Sequence, residues 1–165
     1  MADHESIRKL AAALVADLAQ AGKAVSTAES CTGGWLAKAI TDISGASAVF
    51  HYGIVSYSNG AKEQVLGVQN QTLEDHGSVS EPVVEEMSSG ALNLSGADIA
   101  VAVSGVAGPD GGSDEKPVGT VWFAWAVRDG GKVRTDTNCR HFDGDRELIR
   151  ELTVVHALQG VIDRL

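Results

Sequence analysis

Hydrophobic and polar positions along the 165-residue chain switch between helical and strand periods. Ile7, Leu10, Leu14 and Leu18 recur at steps of three and four with Arg8, Lys9, Asp17 and Gln20 mainly between them, which predicts an amphipathic helix capped at Gly22. Lys23 to Ala28 reads as a short strand running into the turn Glu29-Ser30-Cys31-Thr32-Gly33-Gly34. A helix then begins near Thr32, carries Trp35, Leu36, Ile40 and Ile43, and stops at Gly45. Ala48 to Ser58 is rich in β-branched and aromatic residues and predicts a buried strand, followed by a short helix from Gly60 to Leu66. Gly67 to Ser80 is polar and punctuated. Ser80-Glu81-Pro82 then starts a helix whose apolar face is Val83, Val84, Met87, Ala91 and Leu94.

Asp98 to Ser104 is a run of small apolar residues suited to a central strand covered on both faces. Residues 105–118 are crowded with glycine and proline and cannot form a regular element; a loop of that length in a small domain is a functional candidate. Thr120 to Val127 and Lys132 to Phe142 flank the Asp129-Gly130-Gly131 turn as a hairpin. The chain ends in a helix from about Asp145, with Leu148, Leu152, Val155, Ile162 and Leu165 as its stripe. Helix and strand alternate early and a hairpin closes the sheet, so one domain over residues 1–165 is expected, a three-layer α/β/α sandwich with a mixed β-sheet. A two-layer α+β domain is the rival. If the strands ending at Ala28, Tyr57 and Ser104 are parallel, the loops after them meet where ligands bind in open α/β sheets.

Composition narrows the function. With 44% hydrophobic and 21% charged residues the chain is an ordinary globular one. Its net charge of −9 argues against a surface built to neutralise nucleic-acid phosphates. Two cysteines make no disulfide framework, no spacing suggests a metal site, and no segment reads as a signal peptide or a membrane span. A cytoplasmic protein with neither metal nor cofactor is expected, and apolar residues on the terminal helices leave room for a homo-oligomer.

The turn at residues 29–34 is the first place for chemistry. A hydroxyl between a strand and a helix sits among free N–H groups that bind anions or an oxyanion. Ser30 or Thr32 is equally suited to cap the helix there, and Cys31 is either a rival nucleophile or a small buried hydrophobe. A serine nucleophile needs a base. None of the five histidines falls in a loop that the topology brings to Ser30, whereas Lys62 does. To act as base its pKa must fall from about 10.4 to about 7–8, about 4 kcal/mol of preference for the neutral amine, which requires a dry site or a neighbouring cation. Tyr57 either donates to such a Ser–Lys pair or fills the core. The glycines of residues 105–112 let backbone approach a ligand, although neither a P-loop nor a G-x-G-x-x-G pattern is present. Lys116, Arg146 and Arg150 are candidates for a phosphate pocket.

Taken together, T-A-E-S-C-T-G-G at 27–34, Y-S-N-G-A-K at 57–62, S-G-V-A-G-P-D-G-G at 104–112, K-P-V-G-T-V at 116–121 and G-D-R at 144–146 resemble the CinA C-terminal domain family. The resemblance covers essentially the whole chain in the standalone form. It implies an anticodon-binding-domain-like α/β/α fold and a Ser/Lys amidohydrolase that converts nicotinamide mononucleotide to nicotinate mononucleotide and ammonia in pyridine nucleotide recycling. By motif it implies Ser30 as nucleophile, Lys62 as base and Tyr57 as an assisting hydroxyl. Substrate contacts are implied from Cys31, Thr32, Gly33, Gly34, Ser104, Gly105, Ala107, Gly108, Lys116 and Arg146. Where the family commonly has Thr-Gly-Ile-Ala-Gly-Pro, this chain reads Ser104-Gly105-Val106-Ala107-Gly108-Pro109. A non-catalytic nucleotide-binding domain of the same fold and a Cys31 thiol amidohydrolase are the alternatives.

Overall fold

The computed structural model describes residues 3–165. Six α-helices and five strands follow in the order α1 (His4–Ala21), β1 (Val25–Glu29), α2 (Trp35–Thr41), β2 (Phe50–Val55), α3 (Asn59–Leu66), α4 (Asn70–His76), α5 (Glu81–Ser95), β3 (Ile99–Gly105), β4 (Thr120–Asp129), β5 (Lys132–His141) and α6 (Arg146–Ile162). The sheet order is β2-β1-β3-β4-β5. β1 runs parallel to both β2 and β3, and β4 and β5 are added antiparallel, so the sheet is mixed as expected.

The central strand shows how sequence sets the layers. In β3 the larger Ile99, Val101 and Val103 join the core with α1, α2 and α6, while Ala100 and Ala102 face α5 with Ala124 and Ala126 of β4. Alternation puts successive side chains on opposite faces, and the alanine face lets α5 lie close to the sheet. Close approach recurs at Gly90, where an added Cβ would stand 1.9 Å from the Leu66 carbonyl oxygen at the end of α3. Gly90→Ala must therefore push α3 away from α5. It is expected to destabilise the protein by about 1–3 kcal/mol, read as a drop in Tm, and to lower activity because α3 carries Lys62.

Several expected elements shift. β2 is an edge strand with Tyr52 and Val55 half exposed, not a buried one; β-branched and aromatic residues suit a pleated surface wherever it lies. α2 starts at Trp35, three residues later than Thr32, because Gly33 and Gly34 adopt positive φ of 59° and 100° and hold the chain in a turn. A short helix, α4, occupies the polar stretch after Gly67. On α6 the buried face is Ile149, Thr153, Val154, Ala157, Leu158, Gly160 and Val161, rotated from the expected stripe. Small residues seat that helix on the sheet, with Gly160 against the Trp125 indole. On α5, Leu92 is buried and Leu94 is half exposed. No helix among the described residues is long and apolar enough to cross a membrane.

Candidate active site

Parallel register brings the first three loops together. Glu29 at the end of β1 is level with Val55 of β2 and Val103 of β3. The ladder continues one step further, since the Ser30 N–H donates to the Val103 carbonyl and the Ser56 N–H to the Glu29 carbonyl. Just beyond β2, Ser58 caps α3 by accepting from the Ala61 N–H at 3.1 Å, which turns Lys62 back over the strand ends. Its Nζ lies 2.9 Å from Ser30 Oγ, 2.9 Å from the Ser56 carbonyl and 3.1 Å from the Tyr57 carbonyl.

This geometry decides what the amine can do. Lys62 is 1% exposed and Ser30 8%, and no carboxylate pairs with Lys62 among the described residues. Desolvation lowers the Lys62 pKa from the usual lysine range; only a Cys31 thiolate would oppose the shift. Two of its three partners are carbonyls, which only accept. A neutral amine at this position can give two N–H groups to Ser56 and Tyr57 and keep its lone pair for the Ser30 hydroxyl, the arrangement a base requires.

The turn that holds Ser30 is built on Glu29, which is fully buried. Its Oε1 accepts from the Thr32 hydroxyl at 2.6 Å and the Leu36 N–H at 2.8 Å, and its Oε2 from the Ala37 N–H at 3.1 Å. Glu29 thus caps α2 from the preceding strand. Burial raises its pKa, and these bonds oppose the rise. Gly33 donates to the Ser30 carbonyl and Trp35 to the Thr32 carbonyl. The Cys31 N–H lies against its own sulfur, while the N–H of the fully buried Thr32 has no hydrogen-bond acceptor among the described residues.

A rim of polar groups closes the other side. Arg146 Nη1 donates to the Gly108 carbonyl at 2.7 Å and Nη2 to the Tyr57 hydroxyl at 3.2 Å. This joins the start of α6, the glycine-rich loop and the β2–α3 turn. One helical turn on, Arg150 bonds the Cys31 and Thr32 carbonyls and stacks over Trp35. A cleft of about 430 Å³ opens beside it, lined by His4, Gly33, Gly34, Trp35, Lys38 and Arg150.

The model of the CinA C-terminal domain matches residues 7–165. The chain belongs to the CinA C-terminal domain family. The nicotinamide-nucleotide amidohydrolase PncC of Escherichia coli K12 is 59% identical over 138 residues, covering 84% of this chain and 82% of that protein. PncC of Pseudomonas putida is 52% identical over 158 residues, covering 96% of each. The crystal structure of a CinA superfamily protein from Escherichia coli matches with a TM-score of 0.92 at 39% identity, covering 100% of this chain and 94% of that one.

Within this CinA chain the remaining candidates are distributed unevenly. The Tyr57 hydroxyl bonds Arg146, whereas only the Tyr57 carbonyl reaches the Ser30–Lys62 pair. Cys31 is buried in the core, and burial together with the Glu29 carboxylate pushes its thiol up to about 12. Ser104 donates to the Ser78 carbonyl at 2.8 Å, which ties the strand end to the loop before α5. Gly105 packs against Thr120 and Val121, and Gly108 against Val118; Ala107 is buried between them in sequence. Lys116 donates to the His76 carbonyl at the end of α4 and makes no hydrogen bond to Ser30, Tyr57 or Arg146 among the described residues. Glu29 and the bonds of Arg150 escaped the sequence reading. The signals were a lone carboxylate at the end of an apolar strand and an arginine four residues after Arg146, on the same helix face.

Proposed function

We propose that residues 1–165 form one amidohydrolase domain that hydrolyses the carboxamide of nicotinamide mononucleotide to nicotinate mononucleotide and ammonia, in pyridine nucleotide recycling. Ser30 is the nucleophile and Lys62 the base. The observation that carries this reading is a buried, carboxylate-free lysine 2.9 Å from a serine hydroxyl; the PncC name of close relatives supports the substrate.

Neutral Lys62 takes the Ser30 proton as Oγ forms its bond to the amide carbon. The carbonyl oxygen becomes an oxyanion facing the Thr32 N–H. Lys62, now an ammonium, returns the proton to the amide nitrogen, the C–N bond breaks and ammonia leaves. Water, deprotonated by Lys62, then attacks the Ser30 ester and releases the acid. A thiol held near 12 is almost entirely protonated at neutral pH, which disfavours Cys31 in this role. Measuring ammonia release from nicotinamide mononucleotide tests the reading: the wild type turns over and Ser30→Ala does not. Full activity in Ser30→Ala overturns it.

Arg146 stands at the rim beside Tyr57 and the glycine-rich loop, so the substrate phosphate is assigned to it rather than to Lys116, whose amine is turned to the His76 carbonyl. Nicotinamide riboside is then expected to be much the poorer substrate, and Arg146→Ala to shrink the difference, chiefly by raising KM for the mononucleotide. Equal kcat/KM for both substrates in the wild type would remove the phosphate contact.

A further inference from the structure

Arg150 makes contacts that phosphate binding does not explain. Its Nε donates to the Cys31 carbonyl at 3.1 Å and its Nη2 to the Thr32 carbonyl at 3.0 Å. Its guanidinium lies 5.5 Å over the Trp35 ring. The side chain, rooted on α6, is thus clamped onto the two residues that follow Ser30 in the chain, 119 and 118 positions away.

Peptide planarity gives this clamp a consequence. In a trans peptide the C=O and N–H point in opposite directions. The Cys31 carbonyl shares its peptide with the Thr32 N–H, and the Thr32 carbonyl shares its peptide with the Gly33 N–H. Drawing both oxygens to one guanidinium turns both N–H groups to the far side. The Gly33 N–H meets the Ser30 carbonyl there at 3.1 Å, which closes the turn, and the Thr32 N–H, buried with its residue, is left without an acceptor among the described residues. Gly33 and Gly34, both at positive φ, let the chain turn sharply enough for both carbonyls to face α6. A positive charge on a carbonyl oxygen also polarises its peptide and strengthens the N–H as a donor.

We propose that Arg150 is a positioning residue of the oxyanion site: its two-pronged hold on the Cys31 and Thr32 carbonyls fixes and polarises the peptide N–H that receives the charge developing on the substrate oxygen. The inference rests on Ser30 as nucleophile. Its effect belongs to the transition state, because a ground-state carbonyl carries little of that charge. A lysine can hold one carbonyl but not both in the planar fork.

The test is steady-state deamidation of nicotinamide mononucleotide by Arg150→Ala and Arg150→Lys, with thermal unfolding and active-enzyme concentration measured for each. Arg150→Ala is expected to lower kcat per folded molecule by about 100-fold, the scale of losing one oxyanion donor, with KM changed less than about threefold. Arg150→Lys should fall between it and the wild type. Millimolar methylguanidinium should raise kcat of Arg150→Ala and leave Lys62→Ala unchanged. Unchanged kcat per folded molecule, or a rise in KM alone, would overturn the role. Inactivity of Ser30→Ala beside an undiminished Arg150→Ala would sink this inference and leave the serine reading standing; full activity of Ser30→Ala would remove the reading itself.

Discussion

Lys62→Ala is expected to reduce kcat for nicotinamide mononucleotide deamidation by about 10²–10⁴-fold, the usual contribution of a positioned base. The side chain has no other chemistry to share the loss, since its amine meets only Ser30 Oγ and two carbonyls. Lys62→Arg should be as inactive as alanine, because a guanidinium stays charged and has no lone pair to offer. The pH dependence follows from the direction of the Lys62 shift. Burial favours the uncharged amine, and only that form accepts the Ser30 proton. In the wild type kcat/KM should therefore rise with pH through a pKa below the ordinary lysine value of 10.5 and then level off. Lys62→Ala should lose that limb from its residual rate. A limb unchanged in the mutant would assign the titration to another group.

Glu29→Ala should be the most destabilising single change near the site. Truncation removes the acceptor of the Thr32 hydroxyl and of the Leu36 and Ala37 N–H groups. Each buried donor left unpaired costs about 1–3 kcal/mol, so the three together approach about 3 kcal/mol or more. That is a large part of the about 5–15 kcal/mol that holds a typical protein folded. Glu29→Gln separates the two oxygens. Its carbonyl can keep the two bonds made by Oε1, while its NH₂ group meets the Ala37 N–H donor to donor. An intermediate loss is expected, measurable as the urea midpoint of each variant. Equal stability of Glu29→Ala and wild type would show that α2 needs no cap from β1.

Much of this site was legible because its parts follow strand ends. Ser30, Lys62 and the glycine-rich loop each come directly after a recognisable strand, and three parallel strands leave their C-terminal loops few other places to go. Arg146 announced itself at a helix start. Tyr57 was less readable, since one residue offers a hydroxyl and a carbonyl and only the folded backbone decides which faces Lys62. Lys116 was hard to place for a similar reason. Its loop lies among polar residues in sequence, but the long side chain reaches back to α4. The α6 face was displaced because bulky residues dominate a hydrophobic pattern, whereas tight seating on the sheet selects Thr153, Ala157 and Gly160. Glu29 was hidden by its own burial, since a charged residue at a strand end reads as solvated until its three donors are seen.

Peptide mass analysis of enzyme acid-quenched during the first turnovers of nicotinamide mononucleotide tests the central claim most directly. An acyl ester is predicted on the peptide containing Ser30, assigned to Ser30 by fragmentation, formed in the wild type and absent from Ser30→Ala. An ester on Cys31, or undiminished turnover by Ser30→Ala, would contradict it.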